Sequence, residues 1–402
     1  MFKIKESLSI LSFLVVFSTS LNAQQKYQAA TVAFYNVENL FDTIVSVDYI
    51  DGTRSQNDPL YHVTIPEADI YKYDTVYFRG PYTHEAIKGK KVIRPQILQK
   101  DEFSPKGNKV WNHERYQIKL RQLSKVIAEL GKEETKTAPV IVGLSEVETL
   151  QTVEDLANHP ILKKYNYGAI HFNSFDARGI DLGLIYQKDR FQVTLAKPYP
   201  IEIYSVEGRR IYTRDILRVT GLLDGEEITF LVNHWPSRSG GEKRSMPNRM
   251  KAAEAMKKIF DEIRAENPEA KIIAMGDFND DPINPSIKIG MGAIGKKEKV
   301  QKEDIYNPME AIYKKKGVGT LAYRDAWNLF DQFMMTGTLV DNAKQYDSYK
   351  IFKVEIYSPS YLRSPSGPYK GFPYRMFGGD TFYPEGYSDH FPIYTVLLRN
   401  VK

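Results

Sequence analysis

Short runs of β-branched, aromatic and other apolar residues recur along the chain at 31–35, 140–144, 167–172, 182–186, 228–232, 272–275, 332–335 and 393–398. Each is bounded by polar or turn-forming residues, which predicts a buried strand. Two longer stretches repeat apolar residues at helical spacing instead. In 114–130 these are Ile118, Leu120, Leu123, Val126, Ile127 and Leu130, and the pattern stops at Gly131; in 248–265 they are Met250, Ala253, Met256 and Ile259. Strands dominate from end to end, no polar linker divides the chain, and no internal repeat shows. The pattern therefore predicts an α/β fold of two packed sheets with helices outside.

The first segment predicts an address rather than a fold element. Lys3 and Lys5 precede the apolar residues 8–17, and a polar stretch leads to Leu21-Asn22-Ala23 before Gln24, the three regions of a secretory signal. The run is shorter than the roughly 20 apolar residues that a bilayer span needs, and no later stretch is long or apolar enough. Residues 1–23 are thus expected to be removed, and 24–402 to form a single domain, monomeric, exported to a periplasm or the medium and without a transmembrane anchor. Residues 45–109 and 347–384 are rich in Tyr, Pro and Gly with little periodicity and are expected to be loop insertions, functional or with small strands of their own. Their aromatic residues would stack on bases or sugars, or plug gaps over the core.

Composition narrows the chemistry. With 42% hydrophobic and 26% charged residues over 402 positions, a disordered tail, a collagen and a multi-span membrane protein are excluded. There are no cysteines, hence no disulfide framework, thiolate metal site or cysteine nucleophile, and any metal must be held by oxygen or imidazole. The 55 Lys+Arg and 50 Asp+Glu give +5, too small a charge to identify a partner. The basic clusters at 88–91, 209–210, 238–249 and 314–316 predict solvated faces unless their neighbours give them a role.

Candidate chemistry gathers where strands end. Residues 272–275 run into Gly276-Asp277-Phe278-Asn279, an acid and an amide two positions apart, which in a strand point to the same side. They would present an acid/base and a hydrogen-bond donor to one bound group, although a turn would carry similar residues. The pattern recurs: Asn36-Val37-Glu38 follows the first run, Ser145-Glu146-Val147-Glu148 the second, and Asn233-His234 the run at 228–232. Asp176 and Asp181 flank Arg178-Gly179, and Ser388-Asp389-His390 precedes the last run. Any one of these would pass as a cap or turn; six together point to a site.

Those residues, with Phe330-Asp331-Gln332, resemble the motifs of the endonuclease/exonuclease/phosphatase superfamily, in the family's order and over nearly the whole mature chain. Its members include pancreatic deoxyribonuclease, abasic-site exonucleases, sphingomyelinases and inositol polyphosphate phosphatases. The resemblance implies a four-layered α/β sandwich, two mixed sheets face to face with helices outside, and Mg²⁺-dependent hydrolysis of phosphate esters, with Mn²⁺ as a substitute. It implies Glu146 as first metal ligand, with Asn36, Glu38 and Asp389 completing the sphere directly or through water, and Asn36 is also a candidate for contacting the substrate phosphate. Asp277 would orient or deprotonate water, Asn279 would donate to the phosphate, and His390 would pair with Asp331 and be favoured in its charged form. His234 stands where the deoxyribonuclease branch has a second phosphate-contacting histidine. Arg178 and Arg238 would add forked donors for phosphate, with Arg244 and Arg249 extending the cationic rim or lying in a surface loop.

Two departures bear on the substrate. The disulfides of the secreted deoxyribonuclease branch are absent, and 45–109 separates Asn36 from Glu146 far more than compact members need. Added loops of this kind border clefts and choose substrates. Three readings follow: an exported nuclease cutting DNA or RNA; a phosphatase or phospholipase C-type (sphingomyelinase-like) enzyme acting on a small phosphate ester or phospholipid head group; and a binding module that has lost the reaction. The intact Glu146, Asp277, Asn279, Asp389 and His390 favour an enzyme, and the first reading leads.

Overall fold

The computed structural model describes residues 26–43 and 102–401 except 175, 177, 207, 209, 317, 324 and 325, together with short strands at Val47–Tyr49, His84–Glu85, Val92–Ile93 and Pro95–Ile97. The expected signal at 1–23 and most of the expected insertion at 45–109 lie outside the described residues. Within that insertion Val47–Tyr49 pairs with Pro95–Ile97, and His84–Glu85 with Val92–Ile93.

In chain order the main strands are β1 (Lys26–Leu40), β2 (Ile141–Val147), β3 (Tyr167–Phe172), β4 (Asp181–Gln187), β5 (Phe191–Tyr199), β6 (Ile216–Leu223), β7 (Glu226–His234), β8 (Ile272–Asp277), β9 (Ile305–Tyr306), β10 (Asp331–Thr336), β11 (Lys350–Ile356) and β12 (Ile393–Val401). They form two six-stranded mixed sheets, ordered β11-β12-β1-β2-β4-β3 and β9-β10-β8-β7-β6-β5. Each sheet is built around one parallel pair, β1 with β2 and β7 with β8, flanked on both sides by antiparallel strands. A parallel pair needs a crossover, and helices supply it: α1 (His113–Glu129) joins the first pair and, after α2 (Leu150–Ala157), α3 (Glu242–Glu266) joins the second. The strands of each pair therefore deliver their following residues to one edge.

Alternation along the strands explains the layers. In β1, Val32 and Phe34 enter the core between the sheets with Val232, Phe230, Met275 and Phe333. Ala33 and Tyr35 turn outward to Leu123, Val126 and Ile127 of α1, while Leu231 and Ala274 of the second sheet turn outward to Met256, Ile259 and Phe260 of α3. The result is a four-layered sandwich in which the central strands are buried on both faces, hence their continuous apolar runs. Gly143 keeps the two central pairs close, because a Cβ there would lie 3.0 Å from Met275 Cε and Sδ.

The helix expected at 114–130 is α1, capped by Asn112, whose side chain accepts from the Arg115 N–H at 3.0 Å. The helix expected from 248 instead begins at Glu242 and takes Pro247 inside it, at the loss of one backbone hydrogen bond. The segment 347–384 is not wholly an insertion, since β11 is an edge strand of the first sheet. β5 was hidden in the same way: it is an edge strand with one exposed face, whose polar residues interrupt any apolar run. Among the described residues no helix is long and apolar enough to cross a membrane.

Candidate active site

β1 and β2 do not end as regular strands. The register between them slips between Asn36 and Leu40, and Glu146 is an extra residue between Ser145 and Val147, which face Leu182 and Asp181 of β4. Glu38, Asn39 and Glu146 have φ of 52°, 57° and 64°, a left-handed conformation uncommon for residues with a Cβ. Bulges of this kind re-aim side chains and are concentrated at functional sites, because the strain must be held by surrounding bonds. Here the Asn39 N–H donates to Glu146 Oε2 at 3.1 Å. Asn279, just past β8, has φ 51°, and its N–H donates to Asp277 Oδ1 at 2.9 Å.

Across the edge from these bulges sits a buried acid–imidazole cluster. His390 Nδ1 lies 2.7 Å from Asp331 Oδ2, and its Nε2 is 3.9 Å from Asp277 Oδ2. Asn36, from the first sheet, donates through Nδ2 to Asp277 Oδ2 at 3.2 Å, so both oxygens of Asp277 are oriented by amide donors. The His390 lead-in is fixed to the same strand: Ser388 Oγ donates to the Asn36 carbonyl at 2.7 Å and accepts from the His390 N–H at 3.1 Å. Burial opposes the charging of His390, but Asp331, Asp277 and Asp389 outweigh it and hold its pKa well above the usual histidine value. Burial pushes Asp277 up to about 7, against the pull of His390. His234 Nε2 is 3.5 Å from Asp277 Oδ2; burial, then Arg214 and Arg178, push its pKa well below the usual value, which favours the neutral imidazole.

The carboxylates of the first sheet are held by arginines. Arg178 spans Glu146 with its two terminal nitrogens at 3.3 and 3.2 Å and donates to Asn39 Oδ1 at 2.7 Å. Arg375 donates to Asp389 at 2.8 Å and lies 3.8 Å from Glu38. Lys119, on α1, is buried beneath this group and donates to the Tyr387 carbonyl at 2.6 Å; burial lowers its pKa, although Glu38, Asp389 and Glu146 favour its charge. Burial, then Asp389, push Glu38 up to about 8. Burial and the neighbouring Asp389 thus disfavour the ionised form of Glu38 despite Lys119 and Arg375, and a bound cation would favour it. Among the described residues no three His, Cys, Asp or Glu side chains are grouped to hold a metal, so the three-carboxylate sphere expected of Glu146, Glu38 and Asp389 is not formed; Mg²⁺ uses one or two carboxylates with waters and the substrate phosphate, which members of this set can supply.

The structure thus brings together Asn36, Glu38, Glu146, Arg178, His234, Asp277, Asn279, Asp331, Asp389 and His390. It does not free Arg238, expected to contact phosphate: this side chain lies among Asp280, Asp281, Glu242 and Asn284 at 3.1–3.3 Å and donates through Nε to the Asn279 carbonyl at 2.9 Å. Its charge is already neutralised, and it fixes the backbone of Asn279. Arg249 is likewise fully buried, 2.8 Å from Asp280, which removes it from the rim. Asn233 serves Trp235, accepting from its indole N–H at 3.1 Å. Asp181 turns to Ser174 and His171. Lys119 and Arg375 were missed; a lysine on the buried face of α1, against the helical pattern, was the available signal for the first, and nothing distinguished the second from other loop arginines.

Residues 92–399 match the sequence model of the Endonuclease/Exonuclease/phosphatase family. Similar solved structures include an endonuclease/exonuclease/phosphatase family protein from Bacteroides thetaiotaomicron, 14% identical over 94% of this chain and 98% of that one with a TM-score of 0.48. The mannosyl-6-phosphatase of the same organism is 15% identical over 92% and 99% with a TM-score of 0.46, and a truncated TDP2 from Caenorhabditis elegans is 17% identical over 69% and 91% with a TM-score of 0.43. No curated protein matches the sequence.

Proposed function

Because the chain belongs to the endonuclease/exonuclease/phosphatase family, whose members hydrolyse phosphoric esters, we propose that it is an exported, Mg²⁺-dependent phosphodiesterase that cuts nucleic acid. The observation that carries the chemistry is the pairing of a buried aspartate, Asp277, with a histidine held in its charged form by Asp331. In-line attack on a phosphodiester needs a base at the water and positive charge at the phosphate oxygens and leaving group. Asp277, oriented by Asn36 and Asn279 and pushed up to about 7, is poised to accept the proton of water near neutral pH. His390 offers a charged Nε2–H to the phosphate, and Asn279 and neutral His234 line the same space. Glu146, with Glu38 and Asp389, would hold Mg²⁺, which supplies Lewis-acid stabilisation of the phosphate oxygens.

A strand as substrate is supported by the rim. Arg178 and Arg375 have side chains 50% and 48% exposed, so each pairs with an acid of the site while retaining donors for phosphates on either side of the scissile one. The test is cleavage of supercoiled plasmid by the mature chain with Mg²⁺ or EDTA, beside His390→Ala. Nicking that requires both the metal and His390 is expected. Release of phosphate or head groups from small esters and lipids, without nicking, would replace the nuclease by a phosphatase or phospholipase C-type enzyme. Export, supported by the signal-like residues 1–23, is tested by fractionating cells that express the full chain: the expected product lies outside the cytoplasm and begins near Gln24.

A further inference from the structure

The pair of His390 and Asp331 joins residues 59 positions apart in the chain, and their backbones belong to different sheets. Asp331 opens β10 of the second sheet, opposite Asp277 of β8. His390 stands in the lead-in to β12 of the first sheet and is tied through Ser388 to Asn36 of β1. Among the described residues Asp331 Oδ1 has no hydrogen-bond partner, so this carboxylate is aimed by its backbone and by His390 alone. A bond of 2.7 Å between the two side chains therefore needs the two backbones held in fixed relation.

Thr320 bonds to both. Its Oγ1 accepts from the Asp331 N–H at 3.2 Å, and its carbonyl accepts from the N–H of Phe391, the residue after His390, at 2.7 Å. Thr320 is fully buried and lies at the root of a hairpin in which Leu321–Tyr323 pairs with Ala326–Asn328. Its own N–H donates to the Asn328 carbonyl at 2.8 Å. Gly319 permits that approach, because a Cβ there would lie 2.1 Å from the Asn328 oxygen. On the other arm of the hairpin, Trp327 stacks on Phe391 with ring centroids 6.0 Å apart and 25° between the planes, which fixes the His390 end of the link a second time.

We propose that Thr320 is a positioning residue of the centre: by joining the Asp331 amide to the backbone beside His390, it sets the separation and direction of the imidazole–carboxylate bond. It acts through that pair. The proposal deepens the function proposed above and rests on it for the expected loss of rate, whereas the bond itself is measured without a substrate.

The test compares Thr320→Val, which removes the hydroxyl acceptor, with Thr320→Ser, which keeps it, both in the mature chain. Proton NMR of protein carrying ¹⁵N-labelled histidine follows the Nδ1–H of His390, identified as the signal missing from His390→Ala. A proton held in a short charge-assisted bond to a carboxylate resonates downfield and is protected from exchange. In Thr320→Val that signal is expected to move upfield or broaden. With it kcat should fall by about ten- to a hundred-fold while KM changes by less than about two-fold, the scale for a small misplacement of a catalytic group. Thr320→Ser is expected to restore both.

Thr336→Val separates positioning from packing. Thr336, at the far end of β10, is also fully buried, and its hydroxyl accepts from the Ile272 N–H at 3.0 Å. The same kind of bond is lost there, but the His390 signal and kcat are expected to stay. A signal that moves in both valine variants or in neither, or that moves while kcat does not, would overturn the proposal. If Thr320→Val does not fold, hydrogen exchange in the wild-type chain decides: the Asp331 and Phe391 amides are expected to be as protected as those inside β10, and fast exchange at Asp331 would overturn the link. A signal that moves only in Thr320→Val, in a chain whose wild type cleaves no phosphate ester, would uphold the positioning and remove the proposed function instead.

Discussion

The two sheets bring different chemistry to their common edge. The first ends in the carboxylates of Glu38 and Glu146, both on bulged left-handed backbone, with Glu146 pinned by Arg178 and the Asn39 amide and Asp389 held by Arg375 ahead of β12. The second ends in His234 and Asp277 and starts β10 with Asp331, a group tied mainly to amides and to one another. One side is arranged to gather negative charge and hold a cation; the other, joined by His390 reaching over from the lead-in to β12, is arranged to move a proton. Two hydrogen bonds cross between them, Asn36 to Asp277 and His390 to Asp331, so neither half is positioned without the other. The same βαβ geometry thus supports two kinds of site because the residues at the strand ends, not the strands, differ.

The division predicts that variants of the two sides fail differently. Asp277→Asn and His390→Ala should each lower kcat by about 1,000-fold, within the range for loss of a general acid or base, while the metal concentration for half-maximal rate and the melting temperature change little. Steady-state kinetics over a Mg²⁺ series, with melting curves, measure both quantities; a large shift in metal requirement would merge the two halves. Glu146→Gln should do the converse. Its half-saturating metal concentration should rise by about 100-fold, no less than the top of the range for losing a residue that only orients a metal ligand, with kcat largely recovered at saturating metal. An unchanged metal titration would remove Glu146 from the cation side.

How far this division could be seen in the sequence depends on which side of it a residue lies. The strand-end motifs were visible because central strands buried on both faces are unbroken apolar runs, and Asn36, Glu146, Asp277 and His390 stand within three residues of their ends. The partner of each was visible only where it too lay in a motif, as Asp331 does. Lys119 and Arg375 reach the carboxylates from a helix and a loop, and only folding brings positions so distant in the chain together. Arg238 misled for the opposite reason: a serine- and glycine-rich loop with an arginine suits phosphate, but the local acids Asp280, Asp281 and Glu242 neutralise it. The edge strands β5 and β11 were lost because a half-exposed strand need not be apolar.

Asp331→Asn tests the proton side more finely. Asp331 raises the pKa of His390, so its removal should bring that pKa down, and a reaction that needs charged His390 should lose rate at lower pH. The alkaline limb of kcat/KM is expected to move toward acid by about one unit, equivalent to a ten-fold change in the proton affinity of His390. An unmoved limb, with rate reduced equally at every pH, would mean that Asp331 orients the ring without setting its charge.

The smallest effect concerns Glu38, on the cation side. With its pKa pushed up to about 8, the folded chain holds a proton there over a pH range in which the unfolded chain, at the ordinary glutamate value, does not. Stability in EDTA should therefore fall as pH rises from about 5 toward 8, because the native state binds more protons than the unfolded one throughout that window. Mg²⁺ needs the ionised carboxylate, so its stabilisation should grow over the same window. The rise in melting temperature on adding Mg²⁺ is expected to be larger at pH 8.5 than at pH 6 by about 2 °C or more, the shift that roughly 1 kcal/mol produces in a large domain. In Glu38→Gln that pH dependence should flatten, since no proton remains for the cation to displace; an undiminished dependence would place the coupled proton on another group and leave Glu38 outside the cation site.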